Sequence, residues 1–568
     1  MEKRWVYKEV PEAEKINSLA SVLNISADIA TMLTQREVET FEQARMFFRP
    51  SIDQLHDPFL MKDMRKAVER LDLAIKNREK ILIYGDYDVD GTTSVALFYS
   101  YLHLHYQRID FYIPDRYKEG YGLSELGMQY ALDHDYSLIV TLDCGIKAVD
   151  IINKYAEKGL DFIICDHHNP GNELPRAKAL LDPKQSDCPY PYKELTGCGV
   201  GFKLLYAWSI ENNHDLQPLH DTLDLLVVSI ASDIVPITGE NRILAYFGLR
   251  KLNESPRPGL KALIKAAMIR KEVNITSIVF GIGPRINAAG RVAHAKAAVE
   301  LLLSDSDQEA THLSKEIEGK NNMRREFDLN ITQEALELIE SDEDMRNASS
   351  TVLFKHGWHK GVIGIVASRC IEKFHRPTII LTESNNKATG SARSVNGFDV
   401  YQAISACSEY LDQFGGHAFA AGLTLPLENV DPFREKFEEV VKSTIIEEQL
   451  IPQEEIDLNL DFDQITWKFQ RILKQMAPFG PGNMKPVFVS HNISAANRPR
   501  VLKESHLKVE VQQEGSNVTL PAIGFGMADY FEMITSGMRF SLAYTVEENN
   551  FMGRKELQLV MKDIKFDQ

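Results

Sequence analysis

The residues best suited to chemistry in this sequence are aspartates and histidines that follow short apolar runs at four places. The first place is GDYDVDG, in which Asp86, Asp88 and Asp90 alternate with other residues and precede Gly91. The other three places are Asp143 after SLIVTL, Asp166, His167 and His168 after DFIIC, and Asp233 after LDLLVVSIAS. A single aspartate at such a position is usually a helix cap or a turn former. Four such places at one edge of a sheet would instead form a carboxylate cluster.

The D-x-D-x-D-G spacing of the first place also begins the calcium loop of an EF-hand. With Asp86 at loop position 1, position 12 falls on Leu97, so the bidentate glutamate of that loop is absent. The run also follows the strand-like ILIY, whereas an EF-hand loop follows a helix. These two differences favour a carboxylate cluster over an EF-hand.

Such a cluster predicts a divalent cation site. Neighbouring carboxylates repel one another and raise one another's pKa values, and one or two bound cations would remove that cost. Oxygen ligands with one or two imidazoles favour Mn²⁺ or Mg²⁺ over structural Zn²⁺, and a pair of such ions suits hydrolysis of a phosphate ester. Successive strand residues point to opposite faces. At a strand end His167 and His168 can diverge less, but we do not expect both to bind the same metal. We therefore assign His167 as a ligand and His168 as a phosphate contact or proton handler, with a structural role in orienting a ligand as the alternative for His168.

The elements that must position these residues alternate between strand-like and helical patterns from residue 81 to about 240. Apolar runs separated by amphipathic helices predict a mostly parallel sheet covered on both faces. Ligand sites of such sheets lie at the carboxyl ends of the strands, where these residues fall. The run LDLLVVSIAS is taken as one of the strands, although it fits a buried helix equally well.

The rest of the chain predicts three further regions. Residues 240–345 are expected to be largely helical and to end in a long helix, 305–341, that links two lobes. A second α/β block is expected from 351 to about 450. Short alternating runs after residue 456 predict a small β-barrel.

Composition limits the classes of function. The chain has 568 residues, with 64 Lys and Arg against 81 Asp and Glu, a net charge of −17. A protein that coats duplex DNA is normally basic, so any nucleic-acid contact must be a local basic groove. The six cysteines form no C-x-x-C pair and are too sparse for a disulfide scaffold. With no signal-peptide pattern and no long apolar run, a cytoplasmic protein without a membrane span is expected.

The motifs resemble a known family. GDYDVDG, TLDCG, CDHHNPG and SDIVP are similar to the four successive motifs of the DHH phosphoesterase superfamily. Four further motifs resemble those of the RecJ single-strand-specific 5′→3′ exonucleases and their DHH-associated domain; they are GIGPRINAAGR, GWHKGVIGIVASR, GSARS and GGHAFAAG. The motif PFGPGNMKPVF resembles the start of the oligonucleotide-binding (OB) barrel of these enzymes. The resemblance covers about 60–568 in order. It implies a metal-dependent 5′→3′ exonuclease that hydrolyses single-stranded DNA to nucleotides in recombination and repair.

The implied fold class is α/β. A parallel-sheet DHH domain and a DHH-associated α/β domain are joined by a long helix, and a C-terminal OB-type barrel follows. The implied divisions are an N-terminal helical segment (1–60), the DHH catalytic domain (61–240), a helical connector (241–345), the DHH-associated phosphate-binding and nucleic-acid-binding domain (346–450) and the single-strand-binding barrel (455–568).

The resemblance also implies functional residues. The implied metal ligands are Asp86, Asp88, Asp90, Asp143, His167 and Asp233. Asp143 would bridge two ions, and His168 would complete the catalytic set. Related DHH enzymes carry a metal-binding histidine where this chain has Tyr84. That difference leaves one metal site a ligand short, unless Asp86 or water replaces the histidine.

In the second lobe the resemblance implies phosphate-gripping residues. They are Ser391, Arg393, Gly415, Gly416 and His417. A tight structural turn with a buried histidine is the alternative. Arg285 and Arg291 are candidates for contacts with the nucleic-acid backbone, with ordinary ion pairs as the alternative.

The implied partners are single-stranded DNA, a single-strand-binding protein and a RecQ-type helicase, and the chain is expected to be a monomer. A single strand would thread a cleft between the lobes, where a duplex is too wide. The barrel aromatics Phe525, Tyr530 and Phe531 fit core or stacking platform equally well. Two other functions stay open: a DHH hydrolase of short oligonucleotides, cyclic dinucleotides or pyrophosphate, and a DNA scaffold without metals.

Overall fold

The computed structural model describes residues 2–292, 294–551 and 553–566. The chain forms two compact units. The larger unit contains residues 5–283, 302–307 and 453–568, and the smaller contains residues 1–4, 284–301 and 308–452.

The N-terminal region is a short strand followed by helices. Its elements are β1 (Arg4–Tyr7), α1 (Ala13–Leu23), α2 (Ala27–Thr34), α3 (Phe41–Phe48) and α4 (Met64–Lys76). Ser26 and Thr40 cap α2 and α3 by accepting backbone N–H groups of the first turn, which supplies partners that a helix start otherwise lacks.

A five-stranded parallel sheet follows. Its strands and helices are β2 (Lys80–Gly85), α5 (Val89–His103), β3 (Ile109–Tyr112), α6 (Glu125–Asp133), β4 (Tyr136–Leu142), α7 (Val149–Ala156), β5 (Asp161–Cys165) and β6 (Ala179–Leu181). The strand order is β3-β2-β4-β5-β6, and every pairing is parallel. The three central strands are almost entirely buried, which explains their continuous aliphatic sequences.

The region after the sheet is helical through residue 347. Its elements are α8 (Gly197–Glu211), α9 (Gln217–His220), α10 (Leu223–Ser232), α11 (Gly239–Glu254), α12 (Pro258–Ala266), α13 (Ile275–Ser277), a π-helical turn (Ile278–Ile282), α14 (Gly283–Val292), α15 (Lys296–Leu303), α16 (Asp307–Ser341) and α17 (Glu343–Asn347). The expected long helix is present as α16. Of the two interpretations of LDLLVVSIAS, the strand is wrong and the buried helix is confirmed, because the run forms α10. Its residues are buried all round, so its sequence carries no helical periodicity.

The smaller unit contains a five-stranded mixed sheet. Its elements are β7 (Thr351–Phe354), α18 (Ile363–Phe374), β8 (Thr378–Ser384), β9 (Lys387–Arg393), α19 (Val400–Ser405), β10 (Gln413–His417), β11 (Ala420–Leu425) and α20 (Val430–Thr444). The order is β10-β11-β9-β8-β7. Only the pairing of β7 with β8 is parallel among the described strands of this sheet.

The C-terminal region is a closed barrel. Its elements are β12 (Gln453–Ile456), β13 (Leu458–Asn459), α21 (Trp467–Gln475), β14 (Phe488–Ala495), β15 (Arg500–Leu502), β16 (His506–Gln513), β17 (Thr519–Gly524), α22 (Phe531–Thr535), β18 (Phe540–Phe551) and β19 (Arg554–Phe566). The order β14-β18-β19-β17-β16 closes on itself because β14 also pairs with β16. A closed five-stranded ring is the OB-type architecture.

The N-terminal helices and the barrel share one hydrophobic core. Leu19 of α1 and Leu33 of α2 belong to the same buried cluster as Phe488 and Tyr544 of the barrel. Removal of either part would therefore expose the apolar surface of the other.

One arginine joins three parts of the larger unit. Arg242 of α11 is 5% exposed and donates to the carbonyl oxygens of Phe47, Met476, Ala477 and Pro478 over 2.9–3.3 Å. Phe47 lies at the end of α3, and the other three acceptors lie between α21 and β14, so the guanidinium satisfies carbonyls that no helix or sheet pairs.

No single helix among the described residues is long and apolar enough to cross a membrane. Helices α1 and α2 meet the criterion together by length and composition, with a bend of 116° between them.

Candidate metal centre

The first motif lies where β2 turns into α5. Asp88 caps α5, and its Oδ1 accepts the N–H of Gly91 at 3.0 Å. Asp90 follows in the first helical turn, where the positive end of the helix dipole favours a carboxylate. Asp86 is fully buried, and neither of its carboxylate oxygens has a well-formed hydrogen bond within the described residues.

Asp90 is held by a second helix as well. Its Oδ2 accepts the N–H of Gly197 at 2.8 Å, and its Oδ1 accepts the N–H of Cys198 at 3.1 Å and the Ser229 hydroxyl at 2.7 Å. The N-terminus of α8 therefore fixes this carboxylate. Each carboxylate oxygen has two lone pairs, so Oδ2 keeps one for a further ligand.

Asp143 directly follows β4 in the left-handed backbone region, with φ of 60°. Its N–H donates to the carbonyl of Cys165 at the end of β5, at 2.9 Å. A Cβ on Gly197 would lie 2.5 Å from the Asp143 Cα. Only a glycine at position 197 lets α8 approach the backbone of Asp143 this closely.

The third motif follows β5. Asp166 is buried and accepts the N–H of Ile146, the N–H groups of His167 and His168, and the His168 Nδ1 at 2.7 Å. On its other side, the His168 Nε2 lies 3.2 Å from the Tyr121 hydroxyl oxygen. Asp166 is thus a positioning residue that orients His168 rather than a free carboxylate.

The two histidine rings lie together. Their centroids are 4.7 Å apart, because β5 ends at Cys165 and the alternation of a strand no longer applies. The expectation that the two histidines diverge less at a strand end than within a strand is therefore confirmed. Asp143, His167 and His168 have donor atoms within 4.8 Å of one another, as do Asp90, His167 and Asp233.

Asp233 reaches the cluster from the C-terminal end of α10 rather than from a strand. The next residue, Ile234, has φ of 58°, a conformation that costs a β-branched residue about 1–3 kcal/mol. This turn redirects the chain directly after the carboxylate.

The candidate ligands converge on the His167 ring. Its Nε2 lies 3.1 Å from the Asp143 Oδ1, 3.7 Å from the Asp233 Oδ2 and 3.8 Å from the Asp90 Oδ2. The Asp143 Oδ1 accepts no hydrogen bond within the described residues, despite the imidazole beside it. Electron-rich atoms from four distant segments thus face a common point, which is the arrangement that a hard divalent cation requires.

The electrostatics of the site also favour the binding of a cation. Burial, and then the charges of Asp90 and Asp88, raise the pKa of Asp143 well above its ordinary value. Burial and the same two neighbours raise the pKa of Asp233, and burial with Asp88 raises that of Asp86. Burial lowers the pKa of His167, which favours the neutral imidazole that binds metals. The residues present therefore fit a divalent metal ion.

His168 differs from His167. Burial acts to lower its pKa, but the hydrogen bond and charge of Asp166 outweigh burial and raise it to about 9. For Asp166, burial acts to raise the pKa, and the His168 hydrogen bond instead lowers it to about 2. His168 and Asp166 thus form an ion pair, and the Nε2 of His168 is directed to Tyr121.

Tyr84 does not provide the missing ligand. Its ring is fully buried and stacks on Tyr112, and its hydroxyl donates to the Gly122 carbonyl at 3.1 Å and accepts the Ser124 N–H at 3.2 Å. The tyrosine therefore holds the loop above the sheet.

The expected phosphate-gripping residues lie on two strands of the smaller unit, β9 and β10, which β11 separates. Arg393 and Ser391 are on β9, and the Arg393 Nη1 donates to the Ser391 hydroxyl at 3.0 Å. Gly416 and His417 are on β10, which pairs with β11 and through it with β9. A Cβ at Gly416 would lie 2.3 Å from the Ala420 carbonyl oxygen, so strand pairing already explains this glycine. At Gly415 a Cβ would meet open space.

Arg285 and Arg291 both have protein partners. The Arg285 Nε and Nη2 donate to Glu318 at 2.6 and 3.1 Å, and the Arg291 Nη1 donates to the Gly361 carbonyl at 2.7 Å. For Arg285 the ion-pair alternative is therefore present.

Four contributors to the site were missed in the sequence: Tyr121, Gly197, Cys198 and Ser229. The glycine-rich TGCGVG run gave a signal, since such glycines mark close backbone approach before a helix. Ser229 gave none, because its contact with Asp90 spans 139 residues.

Three family models match the chain. The DHH family N-terminal domain matches residues 80–230, the DHHA1 domain residues 347–443 and the RecJ OB domain residues 456–563. The fold and the carboxylate cluster thus define a member of the DHH phosphoesterase superfamily.

Two curated relatives and one crystal structure narrow the class. The chain is 39% identical over 564 residues to the single-stranded-DNA-specific exonuclease RecJ of Bacillus subtilis (strain 168), across 99% of this chain and 70% of that protein. It is 33% identical to RecJ of Escherichia coli (strain K12), across 89% and 90%. RecJ from Thermus thermophilus in complex with Mn²⁺ superposes with a TM-score of 0.85 at 25% identity, covering 100% of this chain and 80% of that one. This chain belongs to the RecJ family.

Proposed function

We propose that this protein is a metal-dependent exonuclease that hydrolyses single-stranded DNA from 5′ to 3′ and releases nucleotides, in DNA recombination and repair. The observation that carries the proposal is the convergence of Asp90, Asp143 and Asp233 within 4 Å of the His167 ring in a chain of the RecJ family. A scaffold without metals would have no use for buried, unpaired carboxylates.

The proposed metal ligands are Asp86, Asp88, Asp90, Asp143, His167 and Asp233. Mn²⁺ or Mg²⁺ suits this oxygen-rich set, and the similar Thermus RecJ structure is described as a complex with Mn²⁺. A divalent cation bound there supplies positive charge for the phosphate and a more acidic water. The buried Asp86 oxygens, which have no well-formed hydrogen bond, make it the proposed substitute for the histidine that Tyr84 replaces.

His168 is proposed to contact the phosphate. The Asp166 carboxylate holds its Nδ1 at 2.7 Å, which leaves Nε2 and the Tyr121 hydroxyl on the open side. An imidazolium there can donate to a phosphate oxygen or pass a proton to the leaving oxygen.

The smaller unit is proposed to hold a phosphate of single-stranded DNA. Arg393 offers a planar fork suited to bidentate phosphate contacts, and Ser391 orients it. His417, Gly415 and Gly416 complete this proposed site. Arg285 and Arg291 are the proposed contacts to the nucleic-acid backbone.

The proposed division keeps the boundaries 1–60, 61–240, 241–345, 346–450 and 455–568. In the barrel, Phe525 is 61% exposed and is the proposed stacking residue, whereas Tyr530 and Phe531 pack against the core. We further propose that the chain acts as a monomer in the cytoplasm. Its proposed partners are a single-strand-binding protein and a RecQ-type helicase, because an enzyme specific for single strands needs other proteins to separate the duplex.

The test uses the full chain with Mn²⁺ and oligonucleotides labelled at the 5′ or 3′ end, as single strand, duplex and RNA. We expect labelled mononucleotide first from the 5′-labelled single strand, with little release from duplex or RNA. Asp143→Ala should abolish release, and the exposed Asp150→Ala, also in the DHH region, is the matched control. Unchanged release by Asp143→Ala would show that this cluster is not the catalytic centre.

A further inference from the structure

A lysine beside the metal centre has no role in the cluster described above. Lys184 lies in the LDPKQ segment that follows β6, the edge strand next to β5. The Asp166 N–H donates to the Leu181 carbonyl at 3.0 Å, so the end of β6 is level with the histidine motif. The segment therefore begins at the same sheet edge as the candidate ligands.

The backbone of this segment is fixed. The Asp182 Oδ1 accepts the Lys184 N–H at 2.7 Å, which forms an Asx turn. The Gln185 N–H donates to the Asp182 carbonyl, and its buried amide Nε2 donates to the Leu180 carbonyl at 2.9 Å. Pro183 is buried between them. The turn therefore fixes the point at which the Lys184 side chain leaves the backbone.

Lys184 carries a positive charge that forms no ion pair within the described residues. Its side chain is half-buried, and its ammonium forms no salt bridge within the described residues, although Asp182 is two residues away. Burial is the largest cause of the shifted pKa values of His167, Asp182 and Asp233. The positive charge of Lys184 also acts on all three groups and lowers each pKa. A half-buried ammonium at this sheet edge that pairs with no carboxylate among the described residues is available to an anion.

We propose that Lys184 is a phosphate-binding residue of the active site, whose ammonium contacts a non-bridging oxygen of the phosphate being cleaved or of its neighbour. The inference rests on the proposed function and deepens it. The ammonium is a compact point charge, suited to a phosphate whose position the metal centre already fixes. It would add to the transition-state charge stabilisation that such clamps supply.

The test compares Lys184→Ala, Lys184→Gln and Lys184→Arg with the wild-type chain. The matched control is Lys178→Ala, because Lys178 precedes the opposite end of β6 and pairs with Asp161 at 3.3 Å. In Mn²⁺-dependent single-turnover cleavage of single-stranded DNA, Lys184→Ala and Lys184→Gln should lose about 10- to 100-fold in rate. Lys184→Arg should keep most of the rate, and Lys178→Ala all of it.

A second measurement separates a phosphate contact from mere screening of the carboxylates. Single-strand binding is measured by anisotropy against salt in the Asp143→Ala background, with and without Lys184→Ala. Loss of one phosphate contact should reduce the slope of log K against log [salt] by about 0.7. Isothermal titration measures the affinity for Mn²⁺ with and without Lys184→Ala. If Lys184 only screens the carboxylates, Lys184→Ala should raise the Mn²⁺ affinity and leave the salt slope unchanged. That result would overturn the proposal.

Equal cleavage rates for Lys184→Ala and the wild-type chain would also overturn it. A wild-type chain that does not cleave single-stranded DNA would instead refute the proposed function. In that case an unchanged salt slope would separately refute the phosphate contact, so the two failures are distinguishable.

Discussion

Replacement of Gly197 by alanine is expected to damage the metal centre through the backbone alone. The added Cβ would lie 2.5 Å from the Asp143 Cα and 2.9 Å from its nitrogen. Real Cβ atoms essentially never approach closer than 3.0 Å, so α8 must move away by at least about 0.5 Å. No rotamer change can relieve this contact, because the atoms it meets belong to the Asp143 backbone and its Cβ.

Two costs follow from that displacement. Overpacking a buried site destabilises the fold by about 1–3 kcal/mol. The same shift withdraws the N–H groups of Gly197 and Cys198 from Asp90, and a misplacement approaching 1 Å can reduce a catalytic rate about 100-fold. We therefore expect a lower melting temperature together with a loss of Mn²⁺-dependent cleavage.

Gly199→Ala is the matched control in the same helical turn. Its Cβ would lie 3.4 Å from the Leu195 side chain, an ordinary contact, and alanine favours a helix over glycine by about 1 kcal/mol. The assay measures thermal unfolding and single-turnover cleavage of both variants. The reasoning is refuted if Gly197→Ala is as stable and as active as Gly199→Ala.

Two further predictions concern stability. In the metal-free chain, burial raises the pKa values of clustered carboxylates, so the folded state holds more protons than the unfolded state. Its stability should fall as the pH rises above the ordinary carboxyl range. Mn²⁺ at 100 times its Kd should add about 2.7 kcal/mol and reverse that slope, because cation binding competes with protons. Melting temperatures measured against pH with chelator or Mn²⁺ check this, and parallel curves would contradict it. Separately, Arg242→Met should lower the free energy of unfolding by about 3–5 kcal/mol, because buried carbonyl oxygens lose a charged hydrogen-bond donor. Chemical denaturation measures that loss, with the exposed Arg250→Met as control, and equal unfolding midpoints would contradict it.

The parts of the fold that sequence predicted are those whose burial leaves a local pattern. The strands at 80–85, 136–142 and 161–165 are buried on both faces, which demands continuous aliphatic residues. The long helix 307–341 and the barrel strands likewise carry their periodicity in the sequence. Helix α10 could not be predicted this way, because a segment buried on every side needs only apolar residues and shows neither period.

The candidate site divides in the same way. Asp88, Asp143 and His167 follow strands or cap helices, so their common edge could be inferred from local order and the parallel topology. The contacts that hold them could not be inferred. Asp90 is fixed by Gly197, 107 residues away, and Arg285 is paired with Glu318 through folding of the smaller unit. Such pairings depend on how elements pack, for which a single sequence carries no local signal.

The difference between a strand and a helix before Asp233 changes the electrostatics of the centre. Asp88 and Asp90 lie at the N-terminus of α5, where peptide N–H groups and the helix dipole favour negative charge. Asp233 lies at the C-terminal end of α10, where the dipole disfavours a carboxylate, and its neighbours Asp90 and Asp88 add repulsion. This carboxylate therefore depends on positive charge from outside the backbone. A bound divalent ion would supply that charge, and by our proposal Lys184 adds to it. Because Asp233 follows a helix rather than a strand, its carboxylate needs more positive charge than a carboxylate after a strand would.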